Sequence, residues 1–233
     1  MRHCVIGYKG EVGSAVYEFL KERGQKTVGV DIKDSLPGYS EYIHVCIPYS
    51  NKFVNIIKKY AKSIDHKYII IYSSVPVGTT EKISKNAVHS PVEGRHPELF
   101  KSFKTFKRLV GGSRSQEIAK FFEDNGIHTE WFKSSKSTEL GKLLSTTRYG
   151  LNLMFADMEA QICKKLKVNF HDSIIAYQRM YNNGYLALGE ARFVQQILTP
   201  PNRKIGGHCV VPNAKLLFKD TRNPIIGRIA KYG

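Results

Sequence analysis

Within the first thirty-one residues an apolar run, a glycine-rich loop, a helical segment, a second apolar run and an acid follow in that order. The first run is HCVIG at 3–7, and the loop is Gly7-Tyr8-Lys9-Gly10-Glu11-Val12-Gly13. An amphipathic segment from Ser14 to Arg23 then stops at Gly24, a residue suited to a left-handed helix end. The run KTVGVDI follows and ends in Asp31. Few folds accommodate this order. Glycines let the chain turn tightly and let a pyrophosphate approach the free amides of a helix N-terminus. An acid about 20 residues further on meets the adenosine ribose hydroxyls in dinucleotide-binding units. Asp31 lies 18 residues after Gly13, and its carboxylate would repel a 2′-phosphate, so the cofactor reading is NAD. Contacts are expected from Gly7, Tyr8, Lys9, Gly10, Glu11, Val12, Gly13 and Asp31, although the glycine spacing is GxxGxxG rather than GxGxxG.

Strand and helix patterns keep alternating after this unit. YIHVCIP (42–48) reads as a buried strand, NKFVNIIKKYAK (51–62) as a helix and HKYIIIYSS (66–74) as the next strand. A short strand opens AVHSPVEG (87–94), an irregular basic loop follows, and RLVGG (108–112) is another strand. A helix over 116–124 and a strand at 128–132 close the series. Such alternation implies a mainly parallel sheet, whose ligands bind beyond the carboxyl ends of the strands. Pro48, Tyr49, Ser73 and Ser74 occupy such ends and are expected near the cofactor.

From about Lys136 the pattern changes. A stretch without proline carries Leu140, Leu143, Leu144, Leu151, Met154, Phe155, Met158 and Ile162 at three- and four-residue steps. This predicts one long amphipathic helix, of the kind that bridges domains or lines a dimer axis. Lys142 and Thr146, four apart, share one of its faces. Residues 171–200 read as helical, with Tyr177, Tyr181, Tyr185 and Phe193 available for packing. IGGHC at 205–209 then leads into an apolar run spaced like the opening of a helix. A cysteine at a helix N-terminus sits at the positive end of the dipole, which favours thiolate. A last helical piece is expected over roughly 222–231.

Composition sets the outer bounds. The 233 residues suffice for one large domain or two modest ones, and no apolar run approaches membrane-spanning length. The N-terminus shows no signal-peptide pattern, so a cytoplasmic protein is expected. Four scattered cysteines and eight histidines without ligand spacing argue against a disulfide framework and a metal site. The net charge of +16 suits a phosphorylated ligand or nucleic acid, but the lysines are dispersed, which disfavours nucleic acid.

The glycine loop with Asp31, SSVPVGTT, HSPVE, STELGKLL and IGGHC come in the order found in the UDP-glucose/GDP-mannose dehydrogenases, and the chain resembles that family over nearly its whole length. The resemblance implies oxidation of a nucleotide-sugar primary alcohol to a carboxylate by two NAD in turn. It implies Cys209 as the nucleophile that forms a thiohemiacetal and then a thioester, and Lys142 as stabiliser of the alkoxide-like oxygen. It makes Ser74 the hydroxyl that positions water and Glu93 the match to the acid after Ser-Pro, one residue later than in the family. Asn213 stands where the family has Asp, Pro212 where Lys is common, and Thr146 where the family has Asn. The 233 residues end where the family's third domain, which grips the nucleotide, is expected to begin.

The expected fold is therefore a Rossmann-type doubly wound, mainly parallel sheet at 1–133, followed at 134–233 by the long helix and a small all-α domain. The expected activity is that of an NAD-dependent dehydrogenase acting on a sugar or nucleotide sugar, as a homodimer through the long helix. The rival expectation is a catalytically reduced NAD-binding or interaction protein that keeps the fold.

Overall fold

The computed structural model describes residues 1–32, 34–94, 97–201 and 209–232. It divides into two compact units, Met1–Leu143 and Leu144–Gly233. The division falls two turns into the long helix rather than at its start.

The first unit is built on a seven-stranded sheet in the order β2-β1-β3-β4-β5-β6-β7. Its strands are β1 (Arg2–Ile6), β2 (Lys26–Val30), β3 (Tyr42–Val45), β4 (Tyr68–Ile71), β5 (Ala87–His89), β6 (Arg108–Gly111) and β7 (Thr129–Phe132). All pairings are parallel except β5 with β6, which meet through His89 and Gly111. Side chains alternate between the faces of a strand, so a doubly covered sheet needs apolar residues at every position. Val5 and Ile70 pack with α1 (Glu11–Glu22), α4 (Leu99–Thr105) and α5 (Ser115–Asp124). Their neighbours Cys4, Ile6, Ile69 and Ile71 pack with α2 (Phe53–Ser63) and α3 (Thr79–Ile83) on the other face. Each fully buried isoleucine contributes on the order of 2 kcal/mol.

The expected basic loop before β6 contains helix α4. Leu99 and Phe103, four apart, are both buried beneath the sequence KSFKTFK. The regularly spaced lysines masked this one-sided apolar pair. Helix α1 begins at Glu11, so Glu11, Val12 and Gly13 form its first turn instead of ending the loop.

Unusually for a sheet interior, this one carries histidines. His3 Nδ1 and His44 Nε2 are 2.9 Å apart, and His44 Nδ1 lies 2.9 Å from the Tyr72 hydroxyl. His89 contacts Thr138 Oγ1 and the Ser73 carbonyl. Burial lowers His3 from its usual 6.5 to about 4 and His89 to about 3, and it holds His44 well below that range. With folded pKa values beneath unfolded ones, acid protonates the unfolded chain first, and stability falls as pH drops from 6.5. Each ring adds a slope of about 1.4 kcal/mol per pH unit until its folded value is reached. Urea unfolding midpoints between pH 7 and pH 5 should fall steeply. A flat profile would mean that the rings are solvated.

The second unit holds the rest of the 32-residue helix α6 (Ser135–Leu166), then α7 (Ala176–Ala187), α8 (Val210–Thr221) and α9 (Pro224–Lys231). A wider π-type turn, His171–Ile175, leads into α7. The expected helix over 171–200 stops at Ala187, where Gly189 turns left-handed at φ +73°. Over 190–201 the chain forms no regular element save for one 3₁₀ turn, Ala191–Phe193. The Asn182 side chain replaces helical bonding there, donating to Gln195 O at 2.8 Å and accepting from Gln195 N at 2.9 Å. Tyr181, Tyr185 and Phe193 stack in sequence, whereas Tyr177 is exposed.

Beyond Leu143 and Met154, the apolar stripe of α6 is not its core face. Leu151, Phe155, Met158 and Ile162 are exposed, Phe155 at 56%. The helix buries Thr147, Gly150, Ala156 and Cys163 instead. A Cβ on Gly150 would lie 2.5 Å from Val210, so only glycine lets α8 approach this closely. Among the described residues no helix is long and apolar enough to cross a membrane.

Candidate active site

The sheet order reverses direction between β1 and β3, which opens a crevice beyond their carboxyl ends. A cavity of about 390 Å³ lies there, between Ile6, Gly7 and Gly10 on one side and Cys46, Ile47 and Pro48 on the other. Asp31 marks its end at β2, and Ile56 and Tyr60 of α2 close it. Gly7 sits at φ +80° with its α-hydrogens against Cys46 and Ile47. A Cβ on Gly13 would lie 1.9 Å from the Gly7 carbonyl, so the helix can begin this close to the strand only with glycine there. Asp31 Oδ1 accepts the Ile32 amide at 2.8 Å, leaving Oδ2 without a partner among the described residues.

The remaining predicted cofactor residues surround this cradle. Tyr8 lays its ring over Gly29 of β2, and Lys9 stands 5.6 Å above that ring. Glu11 and Val12 belong to the first turn of α1. Tyr49 is not part of the cavity wall; its ring packs on Phe53, 5.6 Å between centroids. Ser73 Oγ donates to Ile47 O at 2.6 Å, which fixes the loop that carries Pro48. Tyr60 and Ile56 escaped sequence reasoning, although their four-residue spacing on α2 was a usable signal.

The second cluster assembles where α6 starts. Glu139 is fully buried, and its carboxylate accepts the amides of Gly78 at 2.5 Å and Thr80 at 2.8 Å. Gly78 is at φ +83°, the left-handed turn from which α3 departs. This explains why VGTT and STEL occur together: one supplies bare amides and the other the acid that takes them. Ser74 is half-buried at the head of that loop. One turn beyond Glu139, Lys142 Nζ donates to Val92 O at 2.7 Å and pairs with Glu93 Oε1 at 3.1 Å. The lysine side chain is only 14% exposed, so it is held rather than solvated.

Arg108, also missed from the sequence, anchors the loop that receives Lys142. It is fully buried, donates to both Ser90 O and Ser90 Oγ, and lies against the rings of Tyr72, Phe103 and Phe122. Burial lowers its pKa to about 10, which still leaves it charged. Ser90 opens the segment whose Val92 and Glu93 meet the lysine.

In the second unit Cys209 is exposed and occupies the residue before α8. Its carbonyl accepts the Asn213 amide at 3.1 Å. The buried Asn213 side chain donates to Thr146 Oγ1 at 3.2 Å. Two of the positions that depart from the family pattern therefore touch each other. The residues 205–208 of IGGHC lie outside the described residues.

The parallel sheet, its glycine-lined crevice and the appended helical unit define a Rossmann-type dehydrogenase fold. No family model matches the chain. It is 24% identical to a UDP-N-acetyl-D-mannosamine dehydrogenase of Methanocaldococcus jannaschii, over 99% of its own length and 64% of that protein. With the protein of the same name from Methanococcus aeolicus it shares 32% identity, over 67% of its own length and 35% of the relative. Its fold matches a UDP-D-ManNAc dehydrogenase from Pyrococcus horikoshii with a TM-score of 0.78 at 19% identity, covering 98% of this chain and 69% of that one. The chain is similar in sequence and fold to nucleotide-sugar dehydrogenases of the UDP-glucose/GDP-mannose type, and it spans less than two thirds of the length of the curated relatives it matches.

Proposed function

We propose that the chain carries out NAD-dependent oxidation of a primary alcohol on a nucleotide sugar, with Cys209 as nucleophile. The substrate class is taken from the names of the relatives. The observation that carries the reading is the ammonium of Lys142, held against Val92 O and Glu93 and largely withdrawn from water. Support for the cofactor is the crevice itself. Gly7, Gly10 and Gly13 leave room for a pyrophosphate at the start of α1, and Asp31 Oδ2 is available to ribose hydroxyls. The nicotinamide, when bound, accepts hydride in both oxidations.

The protein's residues divide the rest of the chemistry. The Lys142 ammonium stabilises negative charge on the C6 oxygen as the alcohol loses its proton. The aldehyde carbon then forms a bond with Cys209 Sγ, which gives a thiohemiacetal. Loss of hydride from that carbon leaves a thioester, and water held by Ser74 displaces the sulfur as the carboxylate forms. Asn213, whose amide donates to Thr146, stands where the family has a carboxylate. Asn213 cannot act as a carboxylate base, so Glu93 is the acid of this set able to take a proton.

The test is NADH stoichiometry on a panel of UDP- and GDP-sugars. Two NADH per sugar, with a uronic acid as product, is expected. One NADH per sugar would reduce the reading to a simple alcohol dehydrogenase, and none alongside NAD binding would leave a catalytically silent relative.

We also propose a homodimer through α6. Leu151, Phe155, Met158 and Ile162 form an apolar stripe in water, of the kind that marks an interaction surface. Sedimentation at micromolar concentration should give twice the chain mass, and Phe155→Glu with Met158→Glu should halve it. A wild-type monomer would overturn this.

A further inference from the structure

The amino ends of β1, β2 and β3 lie at the sheet edge opposite the glycine crevice, and they border a cavity of about 480 Å³. Arg2, Lys21 and Lys26 line it, and none of its described lining residues is a carboxylate. Val28, Pro37 and Tyr39 supply an apolar wall. Cations that share a cavity wall with no carboxylate among its described lining residues repel one another, and an anion relieves that repulsion.

The second observation is an unmet hydrogen-bonding group at the floor. His3 lines this cavity, is fully buried, and its Nε2 has no hydrogen-bond partner. Which way Nε2 points its chemistry follows from the chain His3–His44–Tyr72. Two proton arrangements fit this chain, and the one that gives the buried Tyr72 hydroxyl an acceptor, His44 Nδ1 at 2.9 Å, is assigned to the site. In it His44 carries its proton on Nε2 and donates to His3 Nδ1. That tautomer leaves His3 with an N–H on Nε2, a donor without an acceptor. The Gln25 side chain lies within hydrogen-bonding reach of the ring and favours its protonated form, but it makes no bond of good geometry to Nε2. Its amide is tied instead to Asn125 Oδ1 at 3.2 Å, a long bond that an incoming oxygen can replace. A buried unmet donor costs about 1–3 kcal/mol, so an acceptor is expected to fill it.

We infer that this edge of the first unit is a second ligand site, built for a small organic phosphate ester. The phosphate would take the His3 Nε2 proton and the cations of Arg2, Lys21 and Lys26, and its organic body would lie on Pro37 and Tyr39. Nothing in the proposed dehydrogenase chemistry uses these residues, so the two readings stand or fall separately.

Phenyl phosphate is the probe, with benzoate and inorganic phosphate beside it, titrated into the full chain while histidine side-chain NMR signals are followed. Saturable binding that moves the His3 ring resonances is expected, with phenyl phosphate tightest because it fills both halves of the site. Arg2→Ala and Lys26→Ala replace exposed side chains and leave the core intact. Each should weaken binding about tenfold, the effect of losing one charge-assisted hydrogen bond. Absence of saturable binding would overturn the proposal. So would binding that leaves the His3 signals unmoved, or that survives both substitutions unchanged, since the phosphate would then sit at the glycine loop or elsewhere.

Discussion

Cys209→Ser is expected to abolish carboxylate formation while sparing the first oxidation. A serine hydroxyl is almost wholly protonated near neutrality and is a poorer nucleophile than a cysteine sulfur. Among the described residues, Asn213 cannot replace it, because it is an amide engaged with Thr146. The loss should exceed about 10³-fold in the second step, as for removal of other covalent nucleophiles. Cys209 is exposed in the position before α8, so the variant should fold normally. The measurement is NADH yield together with trapping of aldehyde. One NADH per sugar with trapped aldehyde is the expected outcome. Retention of two NADH per sugar would remove the thiol from the mechanism.

The second large effect is expected at Gly13. Gly13→Ala places a methyl group 1.9 Å from Gly7 O and 2.8 Å from Tyr8 Cα, all backbone atoms with no rotamer to change. Either the loop or the start of α1 must move. Overpacking of this kind costs on the order of 3 kcal/mol. A shift of about 1 Å where the pyrophosphate would lie can cost 10²-fold in binding or rate. Fluorescence titration with NADH should therefore show at least that loss, with a lowered melting temperature. Gly141→Ala is the matching control. Its Cβ would meet nothing within 4 Å, and alanine should stabilise the helix by about 1 kcal/mol. Equal NADH affinity in the two variants would mean that the glycine crevice is not the cofactor site.

Much of this was legible from residue order. The strand edges of the sheet, the crevice at Gly7–Gly13 and Asp31, and the long helix follow from periodicity and glycine placement, which are local signals. Helix α4 was hidden because lysines interrupt its Leu99–Phe103 pair. The exposed stripe of α6 was misleading for a different reason. Its period is helical, but period alone cannot say whether an apolar face meets the same chain or water. Arg108, Glu139 and the His3–His44 pair were out of reach of a linear reading. Each is a polar group whose burial depends on partners 18 to 61 residues away. Asn213 and Thr146 read singly as two unrelated departures, and only their contact makes them one change.

The carboxylate of Glu139 has a consequence for how such a centre can be altered. It grips the amides of Gly78 and Thr80 from a position one turn before Lys142. The segment that follows β4 and the segment that bears the lysine are therefore geared together, and neither can drift without dragging the other. A graft of residues 73–80 from a sister protein would misalign the ammonium unless 135–142 travelled with it. In this fold the inheritable module is the pair.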